Sequence, residues 1–396
     1  MSLSVLAILV ASGPTIAIVL ALSPVLLLQV QIGGAQRTRH LLMSLCSLVS
    51  VPLMHLLSLA FTVRGQADIV WVVYGEKKET TRDFEPGVWI YSRLWIRYGM
   101  ISRISRSAGP QTKSLSGIVV IIARPVPELE RDRQSLLSVM SRLKRDFGRA
   151  KAVALAGRLP SIVKRAGATL EFPIIDGQAG TVCMAVAGVR QLRADTFGID
   201  DKVPRTVGVL GGGGHVGSMI VERLRRDHEL IVVDKKLATG PATIDDPSLG
   251  SSTHRVTRGG DPGLLRQADL VLVFTPSGDD VKSVIGPAAR PGQAWCDDTH
   301  PQMRPATVEA LAATGASVTK LACKDSHFKM WPAVPGFRTG WLPGCLVTAI
   351  MVALHPEADR QEFENDLDGC ERVFMQTGFQ PICKPHNQTS WLSLDS

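Results

Sequence analysis

Apolar positions along this chain form two kinds of pattern. At the start they are continuous. Met1 to Gln36 carries no charged side chain, Arg37 and Arg39 follow, and Leu41 to Val63 is again uncharged. Each block is long enough for the about 20 apolar residues that a helix needs to cross a bilayer. The pattern predicts a membrane hairpin over 1–63 that turns at Gly33–His40. Pro14 and Pro24 are compatible with it, because membrane helices tolerate proline. A cleaved signal peptide is the alternative. It lacks support, because the first block has no basic leading region and a second span follows it. A misassigned gene start is a third reading.

Further on, the apolar residues come in short bursts. Ser116–Val126 (SGIVVIIARPV) reads as a buried strand, and Leu136, Leu137, Val139, Met140 and Leu143 repeat at helical spacing. AVALAG and TLEFPII read as two more strands. A helix follows, with small residues at Ala185, Ala187 and Gly188 that permit close packing. Then come TVGVL at Thr206–Leu210, a glycine run, a helix over Val216–Arg226, and strands at ELIVVD, ADLVLVFTPS, QAWCDDTHP and ASVTKLA. Strands that alternate with helices indicate a parallel sheet with helices on both faces. The spacing divides the chain into the hairpin (1–63), a basic and aromatic connecting region (64–117), an N-terminal α/β substrate domain (118–203), a second α/β domain (204–322) and a C-terminal helical segment (323–396) that completes the active site.

Charge refines this picture. The net charge is +8, and eight basic residues between Arg64 and Arg106 follow the hairpin. Basic residues flanking membrane helices stay inside, which places the catalytic bulk in the cytoplasm. A basic face suits an anionic leaflet or an acidic partner. No finger-like Cys/His spacing and no aromatic-basic repeat points to nucleic acid. The seven cysteines, Cys46, Cys183, Cys296, Cys323, Cys345, Cys370 and Cys383, are odd in number and without a CxxC, which argues for reduced thiols.

The glycine run carries the clearest chemistry. Gly212, Gly214 and Gly217 satisfy G-x-G-x-x-G, and Gly211, Gly214 and Gly217 satisfy G-x-x-G-x-x-G. In either register a strand precedes the turn, a helix follows, and Asp234 closes the next strand. That context is the fingerprint of a Rossmann-type, doubly wound dinucleotide-binding sheet, where a pyrophosphate rests on bare N–H groups at a helix start. The expected cofactor is NAD(H) or NADP(H). Asp234 would bond the ribose hydroxyls and repel a 2′-phosphate, whereas Lys235 and Lys236 would attract one. Thr275 ends the third strand of the second α/β domain, ADLVLVFTPS, and should lie by the cofactor.

With these pieces in place, the region from about Ile118 to Pro381 resembles the long-chain acyl-(acyl-carrier-protein) reductases, which reduce a fatty acyl thioester to a fatty aldehyde. The similarity rests on Gly211–Ser218 (GGGGHVGS), on Asp176–Val182 (DGQAGTV) ahead of a helix, on ADLVLVFTPS, and on Thr377–Pro381 (TGFQP). The resemblance implies a nucleophilic cysteine at the start of a late apolar helix, and Cys345 in WLPGCLVTAIMVALH stands there. Read from the residues alone, Pro343-Gly344 marks a helix start, and a helix N-terminus lowers a thiol's pKa. The resemblance also assigns His327 the protonation of the departing thiol or the oxyanion. It implies acyl carrier protein or acyl-CoA as the donor. Cys296, near the end of a strand, is the second thiol candidate, and Asp297, Asp298 and His300 invite either a metal or a pocket-lining reading. This chain departs from the family at D-D-T-H-P, where the family has D-G-G-Y-P, and at Asp234. Two other readings therefore stand beside the reductase. One is a dehydrogenase of a small hydroxy or amino acid without a covalent intermediate. The other is a non-catalytic, membrane-tethered dinucleotide sensor.

Overall fold

The computed structural model describes residues 67–75, 99–108, 113–171, 173–197, 206–237, 242–244, 255–300, 302–331, 340–355 and 366–385. The expected hairpin over 1–63, with Cys46, lies outside the described residues. Among the described residues no helix is long and apolar enough to cross a membrane.

Two sheets organise the chain. The first has six strands, ordered β13-β2-β3-β1-β4-β5. Its centre is β1 (Ile69–Gly75), β3 (Leu115–Pro125) and β4 (Ala152–Leu155), all mutually parallel and almost wholly apolar. Such sequences suit strands covered on both faces. The short β5 (Ile174–Ile175) extends this row, and β2 (Gly99–Arg106) runs antiparallel to β3. After β3 the chain forms α1 (Val126–Arg131) and α2 (Arg133–Phe147), which are separated at Asp132. The Asp132 carboxylate caps α2 by accepting from the Ser135 N–H, and the apolar stripe of α2 from Leu136 to Phe147 is buried. α3 (Leu159–Arg165) joins β4 to β5, and α4 (Gln178–Phe197) leads out of the domain.

The residues 69–75 and 99–106 correct the expected connecting region, because they are the centre and one flank of the first sheet. β2 was hard to read because its buried face carries polar letters. Ser102 and Arg106 are buried there. Arg106 donates from Nε to Asp325 Oδ2 at 2.6 Å and from Nη2 to the Thr377 carbonyl at 3.2 Å. A partner far along the chain makes that position tolerable, since a buried charge needs pairing.

The second sheet contains β6 (Val207–Leu210), β7 (Leu230–Val233), β8 (Ala242–Ile244), β9 (Val256–Gly259), β10 (Leu270–Val273), β11 (Ala294–Asp297) and β12 (Ser317–Lys324). Its parallel part runs β9-β7-β6-β10-β11-β12. That is the doubly wound nucleotide-binding order, with the switch point between β6 and β10. α5 (His215–Leu224) follows β6, α6 (Ile285–Ala288) precedes β11, and α7 (Pro305–Ala313) precedes β12.

The C-terminal segment is more than the helical closure expected. β13 (Phe328–Trp331) crosses to the first sheet and pairs with β2. β14 (Trp341–Leu342) returns to β12, and α8 (Gly344–Leu354) follows it at once. α9 (Leu367–Gln376) leads to β15 (Gln380–Pro385), antiparallel to β12. One apolar cluster links both sheets through α4 and α8.

Candidate functional site

The glycine turn is built as its spacing requires. Gly211 follows β6 with φ of 88°, a left-handed conformation that favours glycine. A Cβ on Gly217 would fall 2.3 Å from the Gly211 carbonyl oxygen, and one on Gly212 would fall 2.5 Å from Val232 Cγ1. Gly214 is the N-cap of α5 and offers no capping side chain. The helix start therefore presents bare N–H groups, and the cradle has no room for side chains. Asp234, just past β7, accepts from the Gly213 N–H at 3.1 Å and from the Lys236 N–H at 2.9 Å. These residues fit a dinucleotide: glycines for the pyrophosphate and a carboxylate at the second strand for the ribose. Lys164 of α3 reaches the same corner, 3.2 Å from Asp176 Oδ2 and 3.3 Å from His215 Nε2. Burial and then the Lys164 charge lower the His215 pKa.

Three strand ends continue the row. Phe274 N–H donates to the Leu210 carbonyl, placing Thr275 beside Gly211. The Thr275 hydroxyl donates to the Ser277 carbonyl at 2.8 Å. Asp298, the first residue past β11, donates its N–H to the Val273 carbonyl at 3.2 Å. Asp298 thus stands at the carboxyl ends of β10 and β11, the edge that faces ligands in such sheets.

Cys345 lies in the first turn of α8, as expected. Its Sγ accepts from Trp71 Nε1 at 3.3 Å. Gly177, with φ of 73°, presses against it, so that a Cβ there would lie 2.6 Å from Cys345 Cβ. Gly180 and Gly344 let the starts of α4 and α8 meet, and Gly180 N–H donates to Thr348 Oγ1 at 2.8 Å. Two separated motifs, Asp176–Val182 and the Cys345 helix, therefore meet in space.

The expected lowering of the Cys345 pKa is overturned. Burial pushes the thiol up to about 11. The Trp71 N–H and the backbone N–H groups of Gly157 and Leu346 pull against this, and the Asp298 charge adds to it. Desolvation outweighs the helix terminus because a thiolate there loses more hydration than the donors replace. The same environment pushes Asp298 up to about 7, mainly by burial, with Lys320 lowering it and Asp297 raising it. Burial and Lys320 bring His300 down to about 3.

The structure does not bring His327 to Cys345. His327 precedes β13, the edge strand, three strands from β1, or about 14 Å at sheet spacing. Phe328 pairs with Arg106, which pairs with Leu115, beside the amino end of β1. Cys345 instead lies by Trp71 and by Gly157, past the carboxyl end of β4. The His327 Nδ1 lies 3.5 Å from Ser107 Oγ. Cys296 is buried within β11, against Thr319 and Cys383 rather than the cleft. Cys183, Cys323 and Cys370 are buried too. Among the described residues no group of three or more His, Cys, Asp and Glu could hold a metal ion. TGFQP lies at the α9–β15 junction, where Phe379 packs on Phe374 at 5.3 Å between ring centroids. Sequence reasoning missed Trp71, because an indole in an apolar strand gives no sign that its N–H has a thiol to meet.

No family model matches the chain, and no curated protein matches it. Solved structures do. L-Tryptophan dehydrogenase from Nostoc punctiforme aligns over 82% of this chain and 85% of that one, at 11% identity and a TM-score of 0.38. Shikimate dehydrogenase in complex with NADP+ aligns over 79% and 96%, at 9% identity and a TM-score of 0.34. A conserved hypothetical protein from Sinorhizobium meliloti shares 20% identity over 31% of this chain, with a TM-score of 0.24; the match spans 43% of that protein, less than half its length. The likeness concerns the fold alone.

Proposed function

We propose that this chain is a dinucleotide-dependent oxidoreductase that uses NAD(H) or NADP(H) and works on a substrate held between the two sheets beside Cys345. The observation that carries this reading is the row Gly211, Thr275 and Asp298 at the ends of β6, β10 and β11, with the start of α8 near its last member. The bound nucleotide would supply or remove a hydride. The chain's own residues do the rest. The glycine turn and the α5 start hold the pyrophosphate, and Asp234 bonds the ribose, which favours NAD over NADP. Packing of α4 on α8 seats the half-buried Cys345 against Gly177.

The finer reading is reduction of a fatty acyl thioester to the aldehyde. The Cys345 sulfur forms a bond to the acyl carbon, and the carrier thiol, on acyl carrier protein or coenzyme A, leaves. Supporting it is the meeting of one motif on which the resemblance rests, Asp176–Val182, with the cysteine it implies, at Gly177 and Cys345. The hairpin over 1–63 would then hold the enzyme where a long acyl product partitions into lipid. A second reading, a dehydrogenase of a small hydroxy or amino acid, is favoured by the thiol's pKa of about 11, which leaves it neutral at rest.

Intact mass spectrometry of the full chain with a long-chain acyl-coenzyme A separates the two. An acyl adduct that is lost in Cys345→Ala supports the thioester reading. Binding of NADH or NADPH without an adduct moves the function to the small-substrate dehydrogenase. Failure to bind either nucleotide would overturn both.

A further inference from the structure

We propose that Lys164, carried by α3 of the first sheet, binds the phosphates of the dinucleotide held on the second sheet, with His215 beside it and Asp176 as its positioning residue. The proposal deepens the dinucleotide reading of the glycine turn and rests on it.

The glycine turn by itself offers no full positive charge. It has bare N–H groups and the partial charge of the α5 start. Asp234, which accepts from the Gly213 N–H, brings a negative charge to the same turn. A pyrophosphate adds its own, so a cation within reach has much to stabilise. Lys164 is brought to this corner from the other sheet, since α3 joins β4 to β5. Its Nζ lies 3.3 Å from Nε2 of His215, the first residue of α5. Side chains on a helix lean towards its N-terminus, so the His215 ring stands at the end where the phosphates rest.

Donors outnumber acceptors around this pair. An ammonium has three donors and no acceptor. One N–H of Lys164 goes to Asp176 Oδ2 at 3.2 Å and one to His215 Nε2. The third has no acceptor among the described residues. Burial and then the Lys164 charge lower the His215 pKa, so the ring is neutral at neutral pH. Because Nε2 accepts, the ring proton is on Nδ1, and that N–H too has no acceptor among the described residues. Phosphate oxygens are the acceptors that the neighbouring cradle is shaped to receive, and a charged donor bonds them strongly. Asp176 fixes the lysine in place. Its side chain is 12% exposed against 44% for Lys164, and its Oδ1 accepts from the Gln178 N–H at 3.2 Å. The carboxylate is thereby tied to the start of α4. Gly177, the next residue, presses on Cys345. One short segment therefore holds the thiol helix on one side and the lysine on the other.

Calorimetry of the full chain with NADH, and with ADP-ribose, which keeps the pyrophosphate and lacks the nicotinamide, tests this. Lys164→Ala is expected to weaken both ligands by at least about tenfold, the lower end for a hydrogen bond to a charged group. Its affinity should also fall less steeply with salt than that of the wild type. Lys164→Arg keeps the charge and should recover most of the loss. Asp176→Asn should weaken both ligands by less, and should add nothing in the Lys164→Ala background. An equal loss in that background would show that Asp176 does not act through the lysine. Unchanged affinity in Lys164→Ala overturns the proposal and leaves the dinucleotide reading intact. Should that variant fail to fold, the wild type decides. Bound NADH should slow acetylation of Lys164 by acetic anhydride, read at its peptide by mass spectrometry, and an unchanged rate overturns the proposal. A wild type that binds neither NADH nor NADPH sinks the dinucleotide reading, and this proposal with it.

Discussion

Helices α5 and α8 both begin without a capping side chain, one after Gly214 and the other after Pro343. Both point the positive end of a helix at a place where an anion could sit. Their surroundings differ. Gly213 and His215 at the first start are exposed, whereas Gly344 and Leu346 at the second are buried against α4. The exposed start can receive a polyanion that keeps part of its hydration. The buried start acts on Cys345, yet that thiol is pushed up to about 11. A helix terminus supplies a few partial charges, and burial removes a whole hydration shell. The comparison teaches that the same backbone device binds an anion at the surface and fails to create one inside.

The comparison breaks most sharply at Gly217. A Val there would drive its side chain into the Gly211 carbonyl, 2.3 Å from the Cβ position. Gly217→Val is expected to abolish NADH and NADPH binding by calorimetry, a loss of at least about 100-fold, since overpacking of about 3 kcal/mol falls on the cradle itself. Retained affinity would show that the turn is not the phosphate site. At the buried start the effect should be on stability instead. Gly180→Ala places a Cβ 2.4 Å from the Gly344 carbonyl and 2.6 Å from the Thr348 nitrogen, both backbone atoms. The two helices must part, which is expected to cost about 1–3 kcal/mol in urea unfolding. An unchanged midpoint would mean that the helices are not packed this closely. The smallest effect concerns the indole. Trp71→Phe removes one donor from the thiolate, so the Cys345 pKa should rise further and its alkylation should slow by roughly fivefold, the equivalent of about one hydrogen bond. Equal rates would show that the Trp71 N–H does not stabilise the thiolate.

Much of the second sheet is readable from local pattern. Its strands are short, apolar and separated by turn signals, and the glycine run names its own conformation. The first sheet is harder. The paired strands β1 and β3 lie some 40 residues apart, and β2 shows Ser102 and Arg106 on its buried face. Arg106 looks like a surface charge until Asp325, 219 residues away, comes to meet it. The family resemblance implies that His327 serves Cys345. The crossing of β13 to the first sheet separates them, and no local letter announces that crossing.

The sequence by itself determined the nucleotide turn. Spacing, absence of side chains, the preceding strand and the closing Asp234 are demands of backbone geometry, and those act between residues close along the chain. Only the tertiary structure decided what the polar groups do. Asp297 and Asp298 are the same residue type at adjacent positions, yet one is bonded on both oxygens and the other, half-buried at the ends of β10 and β11, is pushed up to about 7, mainly by burial. Cys345 lies where a helix start would lower its pKa, and burial raises it instead, against the Trp71 and Gly157 N–H groups and with the Asp298 charge, which come from distant segments. Hydration lost and charge nearby are sums over spatial neighbours, which the order of residues along the chain does not contain.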